Sequence, residues 1–106
     1  MNKLCDFIND EIEEYEIQYR IHATRRMFQR DIFEETVEQI IWEGKIIEQY
    51  KDDFPLPSLL INGTTSTGRP IHVVLAVNNT EKIIVIITTY EPDPLKWSDN
   101  FTRRAK

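Results

Sequence analysis

The side chains of this sequence best suited to handling a phosphodiester are two imidazoles, a tyrosine and a set of arginines. His22, Arg26 and Arg30 stand four residues apart in series within His22-Ala23-Thr24-Arg25-Arg26-Met27-Phe28-Gln29-Arg30. On a helix that interval lines side chains along one face, here over roughly 12 Å. An imidazole titrates near neutrality and moves protons, and a guanidinium fork matches phosphate oxygens. Two further clusters carry related chemistry, Arg69-Pro70-Ile71-His72 and Tyr90-Glu91-Pro92-Asp93-Pro94. In-line attack of a ribose 2′-hydroxyl on its neighbouring phosphate needs a base, an acid for the leaving 5′-oxygen, and cations where negative charge grows. His22 and His72 are the candidate proton-transfer pair, with Tyr90 as a substitute. Arg26, Arg30 and Arg69 are the candidate phosphate clamps, and Glu91 and Asp93 the carboxylates that would hold Arg26 or Arg30 in place.

Each of these residues also has a purely structural role open to it. A histidine that begins an apolar strand is commonly a satisfied core or edge residue, and a tyrosine ending one commonly caps the core. Arg30, in the last turn of a helix, stabilises the helix's negative end. His22, Arg26 and Arg30 could form an internal network with Glu91 and Asp93, leaving no site. No metal and no cofactor is expected: two histidines about fifty residues apart and one cysteine give no local ligand pair, and no glycine-rich loop is present to cradle a nucleotide. The lone Cys5 reads as a buried helix residue.

Charge confines any anion site to a small area. The 106 residues carry a net charge of −5, against the basic excess usual in non-specific polyanion binders. Arg20 to Arg30 nevertheless holds four arginines and no acid, between acidic stretches over 1–19 and 31–63, and the last residues, with Lys96, Arg103 and Arg104, are mildly basic. The composition, 41% hydrophobic and 29% charged with 3 Gly, is that of one ordinary globular domain spanning residues 1–106. No apolar run approaches the roughly 18 residues of a membrane span and no signal-peptide pattern opens the chain, so the cytoplasm is the expected location and no membrane the expectation for partners.

The elements that must position these side chains follow from periodicity. Leu4, Phe7, Ile8 and Ile12 recur at helical spacing, which predicts a short helix over about 2–13. Tyr15, Ile17, Tyr19 and Ile21 alternate with polar residues, which predicts a strand. A helix over about 22–30 should turn Ile21, Met27 and Phe28 to the core and its cations outward. Asp31 and Glu34 form a candidate capping box for the next helix, with Val37, Ile40 and Ile41 as its apolar stripe and Gly44 at its end. Lys45–Tyr50, Ser58–Asn62, Ile71–Val77 and Ile83–Thr89 read as strands, the last two joined by Asn78-Asn79-Thr80. Trp97 and Phe101 are placed to fold the tail back onto the body. The expected fold class is α+β in the order α-β-α-α-β-β-β-β, with a mainly antiparallel sheet packed by helices.

Over roughly residues 15–97 the chain resembles a family of small prokaryotic proteins known only as a domain of unknown function. The resemblance rests on His22-Ala23, Arg26-Met27 and Arg30; Gly44 with Ile46-Ile47-Glu48-Gln49-Tyr50; Pro55-Leu56-Pro57-Ser58; Arg69-Pro70-Ile71-His72-Val73-Val74; and Tyr90-Glu91-Pro92-Asp93. That family is similar to the RelE and MqsR type of ribonuclease toxins, which place two consecutive helices before an antiparallel sheet. The resemblance implies a toxin of a toxin–antitoxin system, a metal-independent endoribonuclease acting on RNA, ribosome-bound in some members. It also implies a cognate antitoxin partner, of the zinc-finger type beside some members. This chain departs from such toxins in being acidic and in lacking a lysine-rich sheet. The alternative expectation is a non-catalytic protein- or nucleic-acid-binding module that uses the arginine helix face.

Overall fold

The computed structural model describes residues 2–105, an α+β domain whose principal extents are 38 × 28 × 24 Å. Strands β1 (Glu16–Tyr19), β2 (Lys45–Tyr50), β3 (Ser58–Thr64), β4 (Pro70–Asn78) and β5 (Ile83–Tyr90) form one sheet in the order β1-β5-β4-β3-β2. All neighbours are antiparallel except β1, which runs parallel to β5 at the edge. Helices α1 (Ile21–Gln29) and α2 (Glu34–Glu43) connect β1 to β2 and cover one face. Two short strands, β6 (Trp97–Ser98) and β7 (Arg103–Arg104), make a small hairpin after the sheet.

Strand alternation sorts the two faces. Ile46, Leu59, Ile61, Ile71, Val73, Leu75, Ile84 and Ile86 point to the helices and meet Ala23, Met27, Val37, Ile40 and Ile41 in the main core. The opposite face buries Ser58, Leu60, His72 and Ala76, with Trp97 of the tail packed against His72. Burial of the central strands on both faces is therefore achieved by helices on one side and by the tail on the other. Gly44 ends α2 at a close approach: a Cβ there would lie 2.5 Å from the Ile40 carbonyl oxygen and 2.7 Å from that of Asn62.

Four expectations are corrected. The segment before β1 is not a helix over 2–13 but two 3-10 turns, Leu4–Asp6 and Ile12–Glu14. Asn79 holds the stretch between them: its side-chain amide donates to the Phe7 carbonyl (3.0 Å), and the Asn9 amide donates to the Tyr15 hydroxyl (3.0 Å). These side-chain bonds take backbone groups a helix would need. Cys5 is exposed there rather than buried. On α1, Ala23 and Met27 face the core, while Ile21 and Phe28 are exposed, because the small Ala23 is the residue that lies against the sheet side. The Asp31–Glu34 capping box does not form. Asp31 instead takes a left-handed conformation (φ 54°) that closes α1, with the Ile32 amide donating back to the Met27 carbonyl at 2.9 Å, and α2 starts from Phe33.

Candidate functional site

An open cleft of about 500 Å³ lies where the ends of α1, β4 and β5 meet the C-terminal hairpin. It is lined by Arg30, Arg69, Tyr90, Glu91, Asp93, Lys96, Trp97 and Arg104. Four cations against two carboxylates make it locally positive on an acidic protein. Arg30 reaches it from the end of α1, where its guanidinium donates to the Thr89 carbonyl at 3.0 Å. Arg69, in the turn before β4, is largely committed to structure: it donates to Glu91 (2.5 Å), to the Asp31 carbonyl (3.0 Å) and to the Arg30 carbonyl (2.6 Å). Those carbonyls are the orphan acceptors at the end of α1, so Arg69 ties helix, sheet and cleft together. Arg104 forms a two-pronged bond with Glu48 of β2 (2.8 and 3.0 Å) and lies over the Trp97 ring, 4.9 Å from its centroid. Among the described residues Arg30 and Lys96 make no ion pair, so their charge faces the cleft uncompensated.

Tyr90 stands in the cleft wall with His72 behind it. The two are cross-strand partners in the β4–β5 ladder, and Asn62 of β3 continues the same row. His72 is fully buried. Its Nε2 lies 2.7 Å from the Phe101 carbonyl oxygen, which only accepts, so Nε2 carries the proton and Nδ1 is left as an acceptor. The Tyr90 hydroxyl, 3.1 Å away, then donates to Nδ1. Three residues in succession, Asp99, Asn100 and Phe101, take left-handed conformations (φ 51°, 56° and 67°) to present that carbonyl. Such backbone costs about 1–2 kcal/mol per residue in an L-amino acid, so the contacts of the turn must hold it. Asn62 contributes by donating to the Asn100 carbonyl at 3.3 Å.

Burial sets the protonation of this row. It pushes the His72 pKa below its ordinary value, against the Phe101 carbonyl and the Glu48 charge, which favour the imidazolium. It pushes Tyr90 up, with Arg104 pulling the other way. Both groups are thus neutral near pH 7, the proton on tyrosine and a lone pair on histidine. Toward the β2 edge of the same face, the Arg104 hydrogen bond holds Glu48 below the usual carboxylate range, with its burial opposing, and Tyr50, hydrogen-bonded to Glu48, is pushed up to about 12 mainly by burial.

Of the residues singled out in the sequence, Arg30, Arg69, Tyr90, Glu91 and Asp93 converge on this cleft, and His72 adjoins it from inside. His22 and Arg26 do not line it: they stand exposed on α1, two turns and one turn respectively from Arg30 along the helix face. The expected carboxylate pairing is also different. Glu91 holds Arg69 rather than Arg26 or Arg30, and Asp93 caps its own turn, accepting from the Leu95 amide at 2.8 Å. Lys96, Trp97, Arg104 and the Phe101 carbonyl were not among the candidate site residues. The sequence places Trp97 and Phe101 as the residues that fold the tail back, as Trp97 does against His72, but a basic, aromatic tail after a double-proline break does not tell which end of the sheet it meets. Among the described residues no three His, Cys, Asp or Glu side chains come together as a possible metal site.

Sheet order, the two helices after the first strand and the cleft define an α+β domain with a cation-lined cleft at one end of its sheet. The chain belongs to the family described as a domain of unknown function (DUF4258), which matches residues 19–91. Comparison with curated proteins and with solved structures gives no match. The family match takes in Arg30, Arg69, His72, Tyr90 and Glu91, whereas Lys96, Trp97, Phe101 and Arg104 lie beyond it. No helix among the described residues is long and apolar enough to cross a membrane.

Proposed function

We propose that this chain binds RNA in the cleft and cleaves it without a metal, as an endoribonuclease of the toxin type, with Tyr90 at the reacting bond and His72 as its proton reservoir. The observation that carries this is the hydrogen-bonded series of Tyr90 hydroxyl, His72 and Phe101 carbonyl, opening onto a cleft lined by Arg30, Arg69, Lys96 and Arg104. In the proposed step the 2′-hydroxyl gives its proton to the Tyr90 oxygen as the phenolic proton passes to His72 Nδ1. The 2′-oxygen bonds to phosphorus, the bond to the 5′-oxygen breaks, and the proton returns through Tyr90 to that oxygen. The products are a 2′,3′-cyclic phosphate and a 5′-hydroxyl. Arg30 and Lys96 carry the charge stabilisation, since Arg69 and Arg104 are held by carboxylates. His22 has no part at the reacting bond in this scheme.

The element order supports the likeness to RelE and MqsR toxins: one strand, two consecutive helices, then antiparallel strands with the first strand inserted parallel at the sheet edge. On that likeness the partner is a cognate antitoxin, of the zinc-finger type in some systems, and the setting is cytoplasmic. A second reading has one observation in its favour. His72 is sealed from solvent, and both its ring nitrogens are engaged, which is how a structural histidine is built. On that reading the cleft, or the exposed His22–Arg26 face of α1, docks nucleic acid or protein without cutting it. Incubating the protein in EDTA with free RNA and with translating ribosomes separates the two. Cleavage by wild type that Tyr90→Phe abolishes while still binding RNA supports the nuclease; binding without cleavage by either supports the module.

A further inference from the structure

Of the six large apolar side chains that stand exposed among the described residues, three lie on α1 and in the turn that leads to α2. Phe28 (86% exposed) of α1 and Phe33 (66%), just before α2, line an open groove of about 420 Å³ with Met27 and Ile32, and Ile21 (72%) stands two turns before Phe28 on the same side of α1. Trp42, Phe54 and Leu95 are exposed singly elsewhere, as on any protein surface. A cluster of this kind, at the junction of two helices, signals an unmet partner. The cleft described above uses none of these side chains.

The charges flanking the groove say what that partner is. On the α1 side stands Arg25, one turn before Phe28 and one turn after Ile21, on a helix that carries no acid. On the α2 side stand Asp31 and Glu34 in the groove wall, with Glu35 beside them and no base on that helix. Among the described residues none of Arg25, Asp31, Glu34 and Glu35 makes an ion pair within the chain. An acidic peptide in the groove would meet Glu34, and a basic one Arg25. An occupant that satisfies both rims must carry the same two signs in reversed order, with large apolar side chains between them. A second copy of this chain, turned through a two-fold axis, is such an occupant.

We infer that the Ile21–Phe28–Phe33 surface is a dimer interface, in which Phe28 of each copy enters the groove of the other and Arg25 of each faces Glu34 of the other. Three large side chains per copy is a small interface, so the dimer should be weak, with a Kd on the order of 10–100 µM. Sedimentation velocity across a concentration series tests this, with thermal melts to show that each variant is folded. Wild type should shift from monomer to dimer over that range, and Phe28→Ser should stay monomeric with an unchanged melt. Arg25→Glu and Glu34→Arg should each be monomeric alone, since each sets like charges face to face. Mixed in equal amounts they should form a heterodimer, because both contacts are then of opposite sign. The double variant Arg25→Glu/Glu34→Arg should dimerise like wild type. A wild type that remains monomeric up to about 300 µM, far above the expected Kd, overturns the inference, as does dimerisation that Phe28→Ser leaves intact or a mixture that stays monomeric.

Discussion

Tyr90 and His72 form a pair whose behaviour depends on which of them is altered. Tyr90→Phe removes a hydroxyl at the cleft wall without opening a void and leaves His72 Nδ1 without its donor; we expect RNA cleavage to fall by about 10²–10⁴-fold with a stability loss of only about 1–2 kcal/mol, as gel-based cleavage and a thermal melt would show. His72→Ala opens a void beneath Trp97 and orphans both the Tyr90 hydroxyl and the Phe101 carbonyl, so it should cost about 2–4 kcal/mol of stability. Loss of activity in that variant is therefore uninformative without the melt beside it. The pH dependence has a definite sign. His72 has a folded pKa below its unfolded value of 6.5, so its contribution to stability is fully present above about pH 6.5 and is lost as pH falls through the folded pKa. Chemical denaturation from pH 8 to pH 5 should show this loss, and Tyr90→Phe, which keeps the buried imidazole, should retain most of it. A flat profile would mean that the imidazole is reached by water. At this level the sequence was partly legible. Arg30, Arg69, Tyr90, Glu91 and Asp93 were identified by type and do share the cleft, because strand ends and helix ends cluster at one rim of a sheet. The pairing of Glu91 with Arg69 rather than with α1 was not legible, since it depends on where α1 ends over the sheet.

The secondary-structure elements show where periodicity informs and where it misleads. The expected strands 45–50, 58–62, 71–77 and 83–89 match β2 to β5 within two residues, because buried β-branched runs have few other places to go. The first segment defeated the same logic: Leu4, Phe7, Ile8 and Ile12 do pack on the core, yet from turns fixed by Asn79 rather than from a helix. A helical interval in a short stretch records only that its apolar residues meet one surface. On α1 the error lay in the choice of face. Two small or flexible residues, Ala23 and Met27, take the core, and the larger Ile21 and Phe28 are left exposed. Gly44 ends α2 as expected; its φ is −73°, so what requires glycine is the close approach to the carbonyls of Ile40 and Asn62. Gly44→Ala should accordingly destabilise by about 1–3 kcal/mol, as overpacking does, measurable by urea unfolding. The tail is the element least visible in sequence and the one that completes the cleft. Trp97→Ala removes its anchor on His72, and we expect a loss of about 3–5 kcal/mol together with weaker RNA binding; unchanged stability would show that the hairpin is not held by that contact.

Taken as one body, the protein is an acidic domain with cations gathered at one rim and along the exposed face of α1. That distribution reconciles a net charge of −5 with a cation-lined cleft: the end of α1, the turn before β4 and the tail bring Arg30, Arg69, Lys96 and Arg104 together from distant parts of the chain. Since two of the four are already held by carboxylates, RNA binding should be only mildly salt-dependent, with a slope of log K against log salt of about −1 to −2. A much steeper slope would place further phosphates outside the cleft, with Arg25 and Arg26 as exposed cations on α1. Fold class and the two consecutive helices were readable in advance because they follow from local patterns; the full cleft was not, because Lys96, Trp97 and Arg104 reach it from a tail whose docking place no local pattern gives. The central claim is that Tyr90, backed by His72, works on RNA in that cleft. Its most direct test is the end-group analysis of RNA incubated with wild type and with Tyr90→Phe in EDTA, on free transcripts and on translating ribosomes. The account predicts fragments ending in 2′,3′-cyclic phosphate and beginning with 5′-hydroxyl from wild type, and intact but bound RNA with Tyr90→Phe. Intact RNA with wild type under both conditions, or equal cleavage by Tyr90→Phe, would contradict it.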